Sequence, residues 1–417
     1  MAHRSARELA LAALRDWRTS EKFADAILAR LLSSSDLSGP DRAFATELFY
    51  GILRNLILID FWIGELRSGR LDDNARDLLR LGFYQLFFLE TPEHAAVYET
   101  VALAGPRARA LINGILRNAV RTKDPLRGAA KMQTLSVQTS HPQFLIDRWT
   151  RNFSAENTAA LCEWNNRPAP IYARINRLRI STPEFLSKYP KTEPIPARQN
   201  FVRLTNIPTE ALAEGHCYIQ DPSTAAVCEL LEPKAGEYVL DACAAPGGKT
   251  GHLAELMENR GSVVACDRDP QRIRTLQENL ERLGVEIARF VEHDWATGEP
   301  PVSLAGSSGF DRILVDAPCS NTGVMRRRVD LRWRLRPKDF SRMPEEQLRI
   351  LRAVIPLLKI GGTLVYSTCS IEPEENQDLI RAASREFPFL SLMEEIAWLP
   401  FRDGFDGAYG AKLVRVQ

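Results

Sequence analysis

Apolar and polar positions follow different rhythms in the first and last parts of the chain. In residues 1 to about 125, apolar side chains recur at intervals of three and four, as from Ala6 to Trp17 and from Phe44 to Leu56. This spacing is typical of amphipathic helices, and Ser38-Gly39-Pro40 and Thr91-Pro92 interrupt it. We therefore predict an all-helical domain over residues 1–125.

The pattern changes in the middle of the chain. Residues near 125–140 are expected to form a linker. A short helix over Phe144–Phe153 follows, with strands near Ile171–Arg174 and Phe201–Leu204. These elements predict a small α+β module over residues 140–217.

From about residue 218 onward, apolar strands alternate with helical patterns such as Arg272–Leu283 and Glu345–Leu358. Such alternation predicts an α/β domain with a parallel, doubly wound sheet, here over residues 218–417. The predicted strands end at Asp241, Asp267, Asp294, Asp316 and Thr368. Because ligands bind at the carboxyl ends of strands in such sheets, the four carboxylates are expected to form a row of acceptors at the ligand edge.

Composition narrows the class of protein. The 417 residues are 45% hydrophobic and 26% charged, which is ordinary for a soluble protein of two or three domains. The net charge is only +1, so a nucleic-acid surface would have to be a local patch. The seven cysteines include no C-x-x-C pair, which argues against a disulfide framework or a zinc site. Without a signal peptide or a long apolar stretch, we expect a reducing, cytoplasmic setting with no metal and no membrane.

The stretch Asp241 to Thr250, DACAAPGGKT, joins a predicted strand to a predicted helix. A tight turn before a helix N-terminus is a common way to hold a nucleotide-like cofactor. Gly247 and Gly248 permit a close backbone approach, and Pro246 fixes the turn.

Two kinds of ligand fit this turn to different degrees. The phosphate-binding pattern G-x-x-x-x-G-K-[ST] matches at Gly248-Lys249-Thr250, but Cys243 replaces the first glycine and Pro246 removes an amide donor. An adenosyl cofactor needs instead an acidic residue at the end of the next strand, and Asp267 is there. An adenosyl cofactor is therefore favoured, and a nucleoside triphosphatase is the alternative.

Two predicted strand ends carry a thiol, in Asp316-Ala317-Pro318-Cys319 and in Ser367-Thr368-Cys369-Ser370. A thiolate can add to C6 of a pyrimidine, which makes C5 nucleophilic toward a sulfonium methyl group. A base must then remove the C5 proton, and a carboxylate such as Asp316 can stabilise the charge that develops. The spacing does not decide which thiol is the nucleophile.

Candidate RNA-binding residues lie in two places. The run from Arg326 to Lys338 holds seven basic residues, one acidic residue and a tryptophan, which suits phosphate contacts and base stacking. Arg174 and Asn176 follow a strand of the α+β module and could contact a phosphate backbone, although ordinary surface arginines explain them as well. The RNA-binding candidates are Arg174, Asn176, Arg326, Arg327, Arg328 and Arg332.

Taken together, DACAAPGGKT, DRILVDAPCSNTGVMRRRVDLRW and LVYSTCSIEPEENQ closely resemble the RNA cytosine-C5 methyltransferases. With a first domain that resembles NusB, the whole chain is similar to the bacterial RsmB (Sun/Fmu) branch, which methylates 16S ribosomal RNA. The resemblance implies a Rossmann-like catalytic domain that uses S-adenosylmethionine, with RNA-binding roles for the helical domain and the α+β module.

The resemblance also implies roles for single residues. Asp267 would bind the ribose hydroxyls, Asp294 would lie by the adenine, and Asp316 would sit between cofactor and target base. Cys369 would be the nucleophile and Cys319 would assist product release. The methionine and ribose end of the cofactor would be held by Cys243, Ala244, Ala245, Pro246, Gly247, Gly248 and Lys249.

The expected substrate is 16S ribosomal RNA, naked or within a partly assembled small subunit, and the expected state is a monomer. The alternative substrates are a transfer RNA or 23S ribosomal RNA. Near the C-terminus, the family's D-G-F-F pattern appears as Asp406-Gly407-Ala408-Tyr409, so that an alanine replaces the first aromatic residue.

Overall fold

The computed structural model describes residues 5–89, 91–196, 198–297, 299–304 and 309–417. The chain divides into two compact units. Unit 1 comprises Met1–Arg167 and Met325–Leu335, and unit 2 comprises Pro168–Val324 and Arg336–Gln417. In the described part of the chain, no helix is long and apolar enough to cross a membrane.

Among the described residues, helices occur along the whole chain, whereas strands begin only at Ile171. In chain order, the helices are α1 (Ala6–Thr19), α2 (Ala24–Ser33), α3 (Gly39–Arg54), α4 (Leu56–Leu66), α5 (Asp73–Phe87), α6 (Glu93–Ala102), α7 (Pro106–Arg121), α8 (Lys123–Lys131), α9 (Leu135–Thr139), α10 (Gln143–Phe153), α11 (Ala155–Asn166), α12 (Thr182–Lys188), α13 (Thr209–Ala213), α14 (Pro222–Leu231), α15 (Gly248–Leu256), α16 (Pro270–Leu283), α17 (Leu331–Arg334), α18 (Asp339–Val354), α19 (Gln377–Glu386) and α20 (Pro400–Asp403). The strands are β1 (Ile171–Ile175), β2 (Thr192–Ile195), β3 (Arg198–Leu204), β4 (Cys217–Ile219), β5 (Tyr238–Asp241), β6 (Ser262–Asp267), β7 (Ala288–Glu292), β8 (Phe310–Asp316), β9 (Leu358–Thr368), β10 (Leu390–Trp398) and β11 (Ala408–Arg415).

Unit 1 is helical throughout its described residues, which confirms the prediction for the first part of the chain. Helix α1 begins with a capping box, in which Ser5 and Glu8 satisfy each other's backbone amides. Its apolar face packs against α3 and α5, and Leu9, Phe49 and Phe83 are completely buried there. The periodic apolar residues thus form one core, as their spacing requires.

The prediction of a linker near residues 125–140 is wrong. Helices α8 and α9 lie there, and α8 buries Leu126 and Ala130. Leu126 also accepts a hydrogen bond at its carbonyl from the indole of Trp62, at 2.9 Å. The segment is short and its apolar positions are few, so its helices depend on packing against α4 more than on a visible pattern.

The first part of unit 2 is a four-stranded antiparallel sheet in the order β2-β3-β1-β4. In its central pair, Ala173 of β1 lies opposite Val202 of β3. Together with Phe185 of α12, these residues are buried in the core of the module. The prediction of a small α+β module is therefore confirmed, but the helix predicted at Phe144–Phe153 is α10 of unit 1 and does not belong to this module.

The second part of unit 2 is a seven-stranded sheet in the order β10-β11-β9-β8-β5-β6-β7. Strands β5 to β9 are parallel, as predicted. Strand β11 is antiparallel to both of its neighbours, β9 and β10, so the prediction of a purely parallel sheet is corrected: the sheet is mixed. Strand β10 is at the edge and mostly exposed, so it lacks the apolar run of a central strand. In β11, Ala408 and Tyr409 are buried.

Candidate active site

The turn between β5 and α15 has the backbone that its glycines predict. Gly247 has φ +106°, a left-handed conformation that side chains rarely adopt. A Cβ atom on Gly247 would come within 2.9 Å of the Leu276 side chain, and one on Gly248 within 2.5 Å of the Tyr218 ring. The glycines are therefore needed for packing inside unit 2 as well as for the shape of the turn.

The other residues of the turn lie at different depths. Ala244 and Ala245 are buried, Pro246 is exposed, and Cys243 is half-buried. The amide of Ala244 donates to the carbonyl of Cys266 at 2.7 Å, which fixes the turn to the end of β6. Burial raises the pKa of the Cys243 thiol well above its usual range, so this thiol remains neutral.

The carboxylates at the strand ends are not equivalent. Asp241 is completely buried and accepts a hydrogen bond from the Thr250 hydroxyl at 2.7 Å. Burial raises the pKa of Asp241 to about 7. Asp241 thus holds the start of α15 to the end of β5, and the expectation that it faces a ligand is corrected.

Asp267 is the last residue of β6, and Asp294 lies two residues after the end of β7. Asp267 accepts hydrogen bonds from the amides of Ala245 and Asp269, each at 3.2 Å, and its carboxylate pairs with Arg272 at 3.3 Å. Asp294 is half-buried and accepts from the amide of Ala296 at 3.0 Å. Both carboxylates are thus held in place by neighbouring backbone.

Lys249 and Asp316 form an ion pair at the centre of this edge, with 2.7 Å between Nζ and Oδ2. Burial alone would lower the pKa of Lys249, but the Asp316 carboxylate outweighs it, so the pKa is raised and the lysine stays charged. The second Asp316 oxygen accepts from the Ser367 hydroxyl at 2.9 Å. Strands β8 and β9 are adjacent and parallel, which is why Asp316 and Ser367 meet.

The two thiols predicted at separate strand ends are brought together. The sulfur atoms of Cys319 and Cys369 are 3.3 Å apart. Cys319 is buried, whereas Cys369 is half-buried. The hydrogen bond to Cys369, followed by burial, raises the pKa of Cys319 well above its usual range. The more exposed Cys369 is therefore better placed to attack a ligand, and Cys319 is better placed to hold a proton.

A buried polar network lies beneath the thiols and was not predicted. Glu375 is completely buried, and its carboxylate accepts from the Ser320 amide at 2.9 Å, the Ser370 hydroxyl at 2.8 Å and the Gln347 amide at 2.9 Å. The Ser320 hydroxyl also donates to this carboxylate. Glu375 thus ties together the two loops that carry Cys319 and Cys369. In the sequence it is indistinguishable from an acidic residue at a helix start.

Arg174 and Asn176 are internal, so the expectation that they contact RNA is corrected. Arg174 is completely buried, pairs with Glu255, and donates to the carbonyl of Gly248 at 3.2 Å. Asn176 donates to the carbonyls of Gly215 and Leu283, each at 2.8 Å. Both residues fasten the α+β module to helices α15 and α16 within unit 2.

The arginine-rich segment, Met325–Leu335, packs within unit 1. Arg332 is completely buried and donates to the carbonyls of Ser140 and Asn165 at 3.2 and 3.3 Å and to Oδ1 of Asn166 at 2.8 Å. These acceptors lie after α9 and at the end of α11, where helix carbonyls lack intrahelical partners. The cation there also interacts favourably with the helix dipoles.

The remaining arginines of this segment differ in exposure. Arg326 is buried, with its guanidinium 3.8 Å from the centre of the Trp164 ring. Arg327 is half-buried and Arg328 is exposed. The expectation that the segment forms an RNA-binding surface is therefore corrected for Arg326 and Arg332, whose charges act inside unit 1.

The residues at the edge of the seven-stranded sheet fit an adenosyl cofactor. A carboxylate at the end of the second strand can accept hydrogen bonds from ribose hydroxyls, and Asp267 lies there beside the glycine turn. The mixed seven-stranded sheet, the glycine turn and the adjacent thiols define a Rossmann-like methyltransferase.

Comparisons with known proteins make the class more specific. Residues 228–410 match the family described as 16S rRNA methyltransferase RsmB/F, residues 4–121 match the NusB family, and residues 141–197 match the ferredoxin-like domain of RsmF/B-like methyltransferases. The probable ribosomal RNA small subunit methyltransferase B of Bacillus subtilis (strain 168) is 35% identical over 92% of this chain and 89% of its own length. The chain belongs to the RsmB/F family of RNA methyltransferases.

A second relative and one solved structure are also similar over nearly the whole chain. Ribosomal RNA small subunit methyltransferase B of Salmonella newport (strain SL254) is 38% identical over 90% of this chain and 91% of its own length. The crystal structure of PH0851 superposes with a TM-score of 0.79 and 25% identity, covering 98% of each chain. The similarity therefore extends over nearly the whole chain and is not confined to the catalytic motifs.

Proposed function

We propose that this protein methylates C5 of a cytosine in 16S ribosomal RNA. The observation that carries the proposal is the pair of sulfur atoms 3.3 Å apart beside the Lys249–Asp316 ion pair. Cytosine-C5 chemistry needs a nucleophile for C6 and proton transfer close by, and these groups supply both. The substrate named for the relatives, small-subunit ribosomal RNA, supports the choice of RNA.

Residues 243–249, Asp267, Asp294 and Asp316 would hold S-adenosylmethionine, which supplies the methyl group as a sulfonium when it is bound. The Asp267 carboxylate would accept from the ribose hydroxyls. The Lys249 ammonium neutralises Asp316 and holds it at the sheet edge. Asp316 is thereby positioned to interact with a cytosine that enters above the two thiols.

The thiols have different tasks in this mechanism. Cys369 adds through its sulfur to C6 of the cytosine, and its proton passes to N3 of the ring. The π electrons of the C5=C6 bond shift to C4=C5, which makes C5 nucleophilic. After C5 has been methylated, loss of the C5 proton expels the Cys369 sulfur and restores the aromatic ring. Cys319, 3.3 Å away, can give its proton to the departing Cys369 sulfur, and the Cys319 thiolate formed in that step can accept the C5 proton. The ring then releases its N3 proton to solvent. The raised pKa of Cys319 makes its thiolate a strong base.

We also propose that helix α7 of unit 1 contributes an RNA-binding face. Arg107, Arg117 and Arg121 are exposed and lie on one side of the helix, with exposed Ala110 and Gly114 between them. No Asp or Glu occurs in this helix, and a Cβ atom on Gly114 would meet no atom within 4 Å. The result is an open basic strip about 21 Å long, which suits contacts with successive phosphates.

The first experiment measures transfer of labelled methyl groups from S-adenosylmethionine to purified RNA. Wild-type protein is compared with Cys369→Ala and Cys319→Ala, with Cys162→Ala, a buried cysteine of unit 1, as the matched control. We expect 5-methylcytosine in 16S RNA with wild type and the control, none with Cys369→Ala, and a stalled protein–RNA adduct with Cys319→Ala. Normal turnover by Cys369→Ala would overturn the assignment of the nucleophile.

The same assay separates the substrates. Protein-free 16S RNA, partly assembled small subunits, 23S RNA and transfer RNA are supplied in parallel. Label confined to 16S RNA, free or assembled, supports the proposal. Label confined to transfer RNA or 23S RNA would support the proposed reaction but contradict the proposed substrate.

A further inference from the structure

A residue that is absent from the predicted site touches the proposed nucleophile. Asn321 follows Cys319 by two positions, and its Oδ1 accepts a hydrogen bond from the Cys369 sulfur at 2.9 Å. Its φ is +56°, in the left-handed region, which asparagine tolerates better than most other residues with side chains. The backbone in this conformation carries the amide across to the loop after β9.

The direction of the Asn321 amide is fixed by its second partner. Its Nδ2 group donates to the carbonyl oxygen of Cys319 at 2.7 Å. A carbonyl oxygen can only accept, so the amide nitrogen must face Cys319 and the amide oxygen must face Cys369. The side chain therefore presents an acceptor to the sulfur.

From this geometry we infer that Asn321 is a positioning residue that holds the Cys369 sulfur in a fixed direction until the substrate arrives. An oxygen acceptor attracts an S–H group and repels a thiolate, so removing the acceptor and giving it a negative charge should change the reactivity of the sulfur in opposite directions. The same hydrogen bond restricts rotation of the Cys369 side chain. This inference rests on the proposed function only for the statement that Cys369 is the nucleophile.

Other groups act on Cys369 as well and remain unchanged in the test. Among the described residues, Cys319 faces it from the loop after β8 and Lys249 from α15, and Asp316 is paired with that lysine. Glu375 lies beyond Cys319. Because these groups stay in place, a difference in Cys369 alkylation between variants at position 321 measures the effect of the Asn321 side-chain amide.

The test measures alkylation of Cys369 by iodoacetamide as a function of pH, with peptide mass spectrometry to identify the modified thiol. Neither RNA nor cofactor is added. Asn321→Gly keeps a residue that accepts φ +56° but removes the acceptor, so we expect half-maximal alkylation about 0.5 to 1 pH unit lower than in wild type. Asn321→Asp places a negative charge beside the sulfur, so we expect a shift of about 1 pH unit upward.

The opposite signs distinguish this role from a loss of structure, which would move both variants in the same direction. Asn259→Gly is the matched control. Asn259 also has a positive φ, +55°, and its side chain donates to the carbonyl of Gly284 at 2.8 Å. Its variant should alkylate like wild type, and thermal unfolding establishes that each variant is folded.

Shifts of the same sign, or midpoints equal to that of wild type for both Asn321 variants, would overturn the inference. This failure is separate from failure of the proposed function. If Cys369→Ala still transferred methyl groups, Cys369 would not be the nucleophile, but the alkylation result would be unaffected. If the pH of half-maximal alkylation did not change, the role of Asn321 would be excluded, but Cys369 could still be the nucleophile.

Discussion

The arginine-rich segment of unit 1 and the carboxylate-bearing sheet edge of unit 2 both have charges that, from the sequence, were expected to face ligands. In unit 1, Arg332 is completely buried and binds helix carbonyls. In unit 2, Asp241 is also completely buried, but Asp316 remains partly exposed, with 31% of its side chain accessible. The two regions thus differ in how much of the charge remains available for binding.

The difference has a physical cause. Long arginine side chains reach several carbonyls at once, so the ends of helices can bind most of a buried guanidinium without solvent. A carboxylate at a strand end has a short side chain, and its depth depends on which neighbours surround that one position. Clustered charge therefore indicates a ligand site only where the fold leaves the charged group uncovered.

The largest effect is expected for Arg332→Met. This change leaves the carbonyls of Ser140 and Asn165 without their buried donor and should reduce the stability of unit 1 by about 4 kcal/mol. Hydrogen–deuterium exchange of peptides from α9 and α11 measures the loss. The exposed neighbour Arg328→Met is the control and should change stability by less than about 0.5 kcal/mol. Wild-type protection with reduced RNA affinity would restore the RNA-binding interpretation of the segment.

The second effect depends on pH. With a pKa of about 7 in the folded protein, Asp241 retains a proton that the unfolded chain loses near pH 4. The stability of wild type should therefore fall as pH rises from about 4 to about 7. The Asp241→Asn side chain does not titrate, so this variant keeps its stability as the pH rises. Its stability relative to wild type should increase by on the order of 3 kcal/mol across that range.

Urea unfolding of both proteins at pH 4, 5.5, 7 and 8 tests this prediction, and the difference should level off above pH 7. A difference that is constant over the whole range would mean that Asp241 is ionised in the folded protein.

The third effect concerns the network beneath the thiols. Glu375→Gln replaces one carboxylate oxygen with an NH₂ group. Either the Ser320 amide or the Ser370 hydroxyl then loses its acceptor, which should cost about 2 kcal/mol of stability. Because both loops are held through this carboxylate, methyl transfer should also slow by about 10-fold. The control is Asp378→Asn, because Asp378 is an exposed residue of α19. Equal rates for the two variants would show that Glu375 does not position the thiols.

The smallest effect on stability is expected at α7. Changing Arg107, Arg117 and Arg121 to Gln should alter the free energy of unfolding by less than about 0.5 kcal/mol. RNA binding should weaken, and the slope of log K against log salt should become less steep by about 2 to 3. Binding measured at several salt concentrations is compared with an Arg67→Gln, Arg70→Gln protein, whose exposed arginines lie outside α7. An unchanged slope would exclude the α7 face.

Local patterns were sufficient for most of the elements. The intervals of three and four in the first domain and the short apolar runs that end at Asp241, Asp267 and Asp316 correspond to helices and strands in the structure. These patterns arise from the geometry of one element and need no knowledge of its neighbours. Strand β10 was not predicted because it is an exposed edge strand without an apolar run. Helices α8 and α9 were not predicted because they are short.

By itself, the sequence determined the class of the protein, the order of its parts and the loops that carry Cys319, Cys369 and Asp316. Only the tertiary structure decided which charges face inward and which side chains meet at the thiols. Arg332 finds its partners near residues 140 and 165, and Cys369 finds Asn321 forty-eight positions earlier. Burial and hydrogen bonding are set by neighbours distant in sequence, so no local pattern could have assigned them.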